Sequence, residues 1–124
     1  MKAIATEKAP AAIGPYSQAI EVGNFVFASG QIPLDPATGN FVEGGIKEQT
    51  RQALTNAREI LKQAGLDLSN VVKTSVMLAD IKYFGEMNEV YAEFFTEPYP
   101  TRSAFAVKDL PKGALVEVEC IAAK

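Results

Sequence analysis

The sequence contains no histidine. Proton transfer and nucleophile activation therefore fall to Glu, Asp, Lys, Tyr or Cys. Ser-His-Asp and Cys-His hydrolysis are excluded. So are zinc sites built on imidazole or on several thiolates, since Cys120 is the one cysteine. No glycine-rich phosphate loop follows a strand-like segment. A short set of residues remains. Arg102 follows a proline-rich stretch, and its guanidinium could match a planar carboxylate with two parallel hydrogen bonds. An arginine so placed is ordinarily a solvated charge or half an ion pair. Glu117 and Glu119 are two apart on a strand-like segment, so both face one side with Cβ atoms on the order of 7 Å apart. An outward-facing strand edge would also carry such charges. Leu115 and Ile121 flank them on that face, however, and aliphatics mixed with acids suit an interface enclosing a polar pocket. A partly buried glutamate has a raised pKa, which suits acid–base work near neutral pH.

These groups need elements to hold them. Phe25 to Ser29 is a short apolar run of buried-strand length. Ser17 to Val22 could pair with it across Gly23-Asn24 as a hairpin. Val71 to Leu78 is β-branched and apolar, a second strong strand. Leu115 to Ala122 alternates, with Val116, Val118, Cys120 and Ala122 forming a wholly apolar face. Ile46 to Ala64 has helical spacing, with Gly65 placed as a C′ residue. A second helix is expected from Lys82 to Phe95, its stripe of Tyr83, Phe84, Met87, Val90, Tyr91, Phe94 and Phe95 read as packing rather than a cofactor box. A further short strand is expected near Ile4. The fold class is α+β, with helices on one face of a mixed sheet. The other sheet face needs cover, and another copy of the chain is the natural one.

The 124 residues suit one domain, 1–124. Apolar residues make up 48% and charged residues 22%, ordinary for a soluble globular protein. The net charge of −3, without any run of Lys or Arg, gives no basic surface for nucleic acid. A single cysteine fits a reducing compartment. No apolar leader stands in Met1 to Pro10, and no stretch reaches membrane-span length. The expected location is the cytoplasm, with no membrane partner.

Several ordered motifs resemble the YjgF/RidA family over nearly the whole chain. They are Ala9-Pro10-Ala11-Ala12-Ile13-Gly14-Pro15-Tyr16-Ser17-Gln18, Ser29-Gly30-Gln31-Ile32-Pro33, Val72-Lys73-Thr74 and Met87-Asn88-Glu89-Val90-Tyr91. Pro100-Thr101-Arg102-Ser103, Leu110-Pro111-Lys112-Gly113 and Val116-Glu117-Val118-Glu119 complete the series. The resemblance implies a chorismate-mutase-like fold and a homotrimer with sheets facing inward and pockets between subunits. It implies hydrolysis of 2-iminopropanoate and 2-iminobutanoate to 2-keto acids and ammonia, without cofactor or metal. Carried over by position, Arg102 holds the substrate carboxylate and Glu117 positions water. Tyr16, Ser29, Gly30 and Asn88 line the pocket, and Ala104 offers a backbone amide. Many members have alanine at the position of Thr101 and several have cysteine at that of Ala104, so a catalytic thiol there is absent in this chain. Glu119 is structural in this reading, and Cys120 is an inert core residue. One rival reading is a non-catalytic trimer that binds small carboxylates through Arg102 without needing Glu117. Another is RNA cleavage, a label given to parts of the family, against which the acidic charge and missing histidine argue.

Overall fold

A computed structural model describes residues 1–124. In chain order the elements are β1 (Lys2–Ile4), β2 (Ala19–Val22), β3 (Phe25–Gln31), α1 (Ile46–Gln63), β4 (Val71–Leu78), α2 (Phe84–Phe94), β5 (Thr101–Ala106) and β6 (Val116–Ala123). The six strands form one sheet ordered β1-β2-β3-β6-β4-β5. β4 and β5 are parallel and joined through α2, whereas β6 runs antiparallel between β3 and β4. The order expected from the sequence, strand, strand, helix, strand, helix, strand, strand with a further short strand near Ile4, is the one observed.

Alternation decides which sheet face takes the helices. On β6, Val116, Val118, Cys120 and Ala122 are buried, and their partners Thr74, Val76 and Leu78 on β4 are buried with them. α1 lays Ala53, Leu54, Ala57, Ile60 and Leu61 over that face, and α2 adds Met87, Val90 and Tyr91. Each fully buried aliphatic side chain is worth about 1.5–3 kcal/mol. Leu54, at 0% exposure, would cost about 2–5 kcal/mol as alanine.

α1 ends in a Schellman motif: Leu66 N–H donates to Leu61 O and Gly65 N–H to Lys62 O, both at 2.9 Å. Gly65 takes φ +79° there, which suits the residue without a Cβ. Polar residues also serve this layer. Asn56, fully buried, donates to Ile32 O and Leu34 O at 3.2 and 2.8 Å, and buried Gln49 accepts from Leu115 N–H at 2.8 Å. Both tie the helix to loops that flank the sheet.

Several boundaries differ from expectation; β3 runs two residues further, to Gln31, and the ends of α1, α2 and β6 move by one. The second helix begins at Phe84, because Asp80 accepts from Lys82 N–H and caps a 3-10 turn over Ile81–Tyr83. β2 begins at Ala19, although Gln18 O still accepts from Ser29 N–H at 2.9 Å. Leu115 lies outside β6; Gln49 takes its amide, Ala79 N–H donates to its carbonyl, and its side chain packs against the core.

The opposite face is open. Val22, Phe25, Phe27 and Phe105 each remain 44–47% exposed. Register places Phe27 beside Ile121 and Phe105 in line with Met77 and Glu117. This is the mixed apolar and acidic face expected from the sequence, now extended over five strands. No helix is long and apolar enough to cross a membrane.

Candidate functional site

The expected site residues fall into two groups. Tyr16, Ser29, Gly30 and Glu117 line a cavity of about 490 Å³ beside β3 and β6. Asn88 and Arg102 line another, of about 420 Å³, beside α2 and β5. Ala104 lines neither; it sits half-buried on β5 opposite Val76.

The first group is organised by a break in β3. Pairing with β6 is interrupted between Ala28 and Gln31, and the irregularity turns Ser29 and Gly30 toward the cavity. Ser29 Oγ donates to Ser17 O at 2.6 Å, and Ser29 N–H donates to Gln18 O at 2.9 Å. Gly30 has no side chain where the Glu117 carboxylate lies: a Cβ there would collide with Oε2 and stand 2.9 Å from Cδ. Burial raises the Glu117 pKa above the ordinary carboxylate range, and the negative charge of Glu119 raises it further. A glutamate of this kind can take and return a proton nearer neutral pH.

Gln18 is a cavity-lining residue that sequence reasoning passed over. It is 4% exposed, and its amide clamps the N-terminal strap. Oε1 accepts from Thr6 N–H at 2.7 Å, while Nε2 donates to Thr6 O at 3.1 Å and Pro10 O at 2.7 Å. The strap then forms the cavity wall that ends at Tyr16, which is 52% exposed. Lys112 also lines this cavity, held at φ 57° in the Pro111–Gly113 turn. Such left-handed backbone is uncommon outside glycine, and residues that adopt it cluster at functional sites.

The second group is built around one guanidinium. Arg102 Nη1 donates to Asn88 Oδ1 at 2.6 Å. Its Cζ lies 4.7 Å from the Tyr91 ring centroid and 5.4 Å from that of Phe84. The Tyr91 hydroxyl in turn shares a 2.8 Å hydrogen bond with buried Thr74, the register partner of Arg102. Tyr91 and Phe84, expected only as packing, thus pack and also cradle the cation. Cation–π contact fixes a guanidinium without consuming its donors, so Arg102 is oriented yet still able to hold a carboxylate.

The two halves cannot meet within one chain. Arg102 pairs with Thr74, and Thr74 with Cys120, all on the helix-covered face. Glu117 pairs with Met77 on the open face, and Met77 with Phe105, three residues beyond Arg102. Two strand spacings and three residues of rise separate their Cα atoms by roughly 14 Å, with side chains projecting from opposite faces. Cys120 lies in the core, its thiol pushed up to about 12 by burial, so it is no thiolate nucleophile. No group of three His, Cys, Asp or Glu side chains is placed to hold a metal.

The family model described as Endoribonuclease L-PSP matches residues 6–124. The chain belongs to this family, the YjgF/RidA family. Among YjgF/RidA proteins, a 2-iminobutanoate/2-iminopropanoate deaminase of Bos taurus is 54% identical, covering 98% of this chain and 88% of the relative. A RutC family protein of Pyrococcus abyssi is 56% identical, covering 98% and 95%. The crystal structure of RidA from an Antarctic Psychrobacter superposes with a TM-score of 0.96 at 46% identity, covering 100% of both chains. The sheet order and helix placement described above are therefore those of a YjgF/RidA chain.

Proposed function

We propose that the protein is a cytoplasmic, cofactor-free hydrolase of 2-imino acids, acting as a homotrimer whose sites form between neighbouring copies. The observation that carries this reading is the division of the site. Arg102 stands oriented on one sheet face and Glu117 stands desolvated on the other, so a carboxylate clamp and an acid–base group await each other from different copies. The uncovered, half-apolar sheet face supports association through that face. The names of close relatives support the substrate class.

In this reading Arg102 holds the substrate carboxylate by paired hydrogen bonds. Glu117 takes a proton from water as its oxygen bonds to the carbon of the protonated imine, an iminium, and the C=N π electrons move to nitrogen. The resulting carbinolamine receives a proton on nitrogen from Glu117. The C–N bond then breaks, ammonia leaves, and loss of the hydroxyl proton gives the keto acid. An iminium carbon is already electrophilic, so positioning and proton transfer supply what the step needs. Tyr16, Ser29, Gly30 and the Ala104 amide complete the pocket.

The test generates the imine in situ with a threonine dehydratase and follows its hydrolysis beside calorimetric binding of a stable keto acid. Arg102→Ala should lose both, since a charged partner of this kind is worth about 2–5 kcal/mol. Glu117→Gln should retain binding and lose about 10²–10⁴ in turnover. Wild-type turnover in Glu117→Gln would show that Glu117 is not the acid–base group, and unchanged hydrolysis in both variants with altered keto-acid binding in both would favour a small-carboxylate binding module instead.

A further inference from the structure

A third cavity, separated from the Arg102 half-site by Pro100, which lines both, lies between the C-terminal half of α1, the 3-10 turn Leu68–Asn70 and the segment after α2. It measures about 290 Å³, and its lining includes Arg58, Asp67, Phe94 and Glu97. Of the three arginines in the chain, two have polar partners: Arg51 pairs with Glu93 at 3.0 Å and Arg102 bonds Asn88 at 2.6 Å. Arg58 has none. Its Nε is buried without a hydrogen-bond partner, and its guanidinium lies 5.4 Å from the Phe94 ring centroid.

Two carboxylates line the same cavity, yet Arg58 forms no ion pair with Asp67 or Glu97. Asp67 is held back by capping, its Oδ1 accepting from Leu68 N–H at 2.7 Å. Opposite charges therefore face one small cavity without closing on each other. A simple anion entering it would meet two carboxylates, and a simple cation would meet Arg58. A compact zwitterion satisfies both walls, with a planar carboxylate suited to the guanidinium. Leu68, Val71 and Phe95 supply an apolar lining for a small side chain.

We infer that this cleft is a binding site for a free α-amino acid, its carboxylate on Arg58, its ammonium toward Asp67 and Glu97, and its side chain against Phe94. The cavity is at the small end of the range for ligand pockets, which suits a molecule of this size. The inference stands apart from the proposed hydrolase reading and shares no residue with it.

Calorimetric titration of the whole protein with L-alanine tests it, with propionate and ethylamine as half-ligands. Alanine should bind saturably, and each half-ligand at least about tenfold more weakly. Arg58→Met keeps a side chain over Phe94 and removes the charge; it should weaken alanine binding by at least about tenfold. All these titrations are made in an Arg102→Met background, so that the carboxylate clamp of the other site does not contribute. Glu97→Gln, at an exposed position on the other wall, should also weaken it and decides the matter if Arg58→Met does not fold. The inference is overturned if alanine does not bind saturably, or if its affinity survives Arg58→Met or, where that variant does not fold, Glu97→Gln. Propionate binding as tightly as alanine in that Arg102→Met background would overturn it equally.

Discussion

The Glu117 carboxylate occupies the space above Gly30 in which any other residue would place its Cβ; such an atom would stand 3.1 Å from Glu117 Cγ and closer still to the carboxylate. Glycine is required here for space, since no positive φ accompanies it. Gly30→Ala should fold but displace Glu117. The expected cost is about 1–3 kcal/mol, as for other overpacked sites. Imine hydrolysis should fall about a hundredfold from misplacement of the acid–base group. Thermal unfolding and the dehydratase-coupled assay read the two effects separately. A variant with full turnover would show that the Glu117 position is not critical.

Tyr91 should act on binding through its ring and on stability through its hydroxyl. Tyr91→Leu removes the surface 4.7 Å from the Arg102 guanidinium, and keto-acid affinity should fall roughly tenfold. Tyr91→Phe keeps that surface but strands buried Thr74 without its 2.8 Å partner, costing about 1–3 kcal/mol of stability with near-normal affinity. Calorimetry and melting curves should therefore separate the two roles: Tyr91→Phe loses stability with affinity kept, whereas Tyr91→Leu, which also strands Thr74, loses both.

Glu117 gives a signed dependence on pH. Its pKa is raised, first by burial and then by Glu119, and the reaction needs its carboxylate form. The acid limb of kcat/KM should thus lie above the ordinary glutamate range, and Glu119→Gln should move it to lower pH. A raised folded-state pKa favours the fold below the unfolded value of about 4.3, and that contribution is lost as pH rises through the folded value. Glu117→Gln should accordingly melt higher than wild type at neutral pH, with the difference closing below about pH 4. An acid limb unmoved by Glu119→Gln would remove the like-charge effect from this account.

The sheet and both helices were legible because their periodicities are clean: Val116, Val118, Cys120 and Ala122 alternate, and Ala53, Leu54, Ala57, Ile60 and Leu61 repeat at helical spacing. The site was legible as a set of residues but not as a geometry. Which face Arg102 takes depends on its pairing with Thr74, a long-range register that local pattern does not carry. Gln18 was missed because a buried glutamine clamping a strap looks, in sequence, like any polar residue before a strand. Tyr91 was read as core because a helical stripe gives no sign that one ring also faces a cation. Leu115 followed the alternation of β6 by one residue too many, since nothing local announces that Gln49 takes its amide.

Subunit mixing tests the divided site most directly. Arg102→Ala and Glu117→Gln are each expected to be nearly inactive alone, but each keeps the group the other lacks. Unfolded together in equal amounts and refolded, they should form mixed trimers in which about a quarter of the interfaces join an intact Arg102 to an intact Glu117, with imine hydrolysis recovering to about that fraction of wild type. Recovery near that level supports a site shared between copies. No recovery, in trimers shown by mass spectrometry to be mixed, would contradict it.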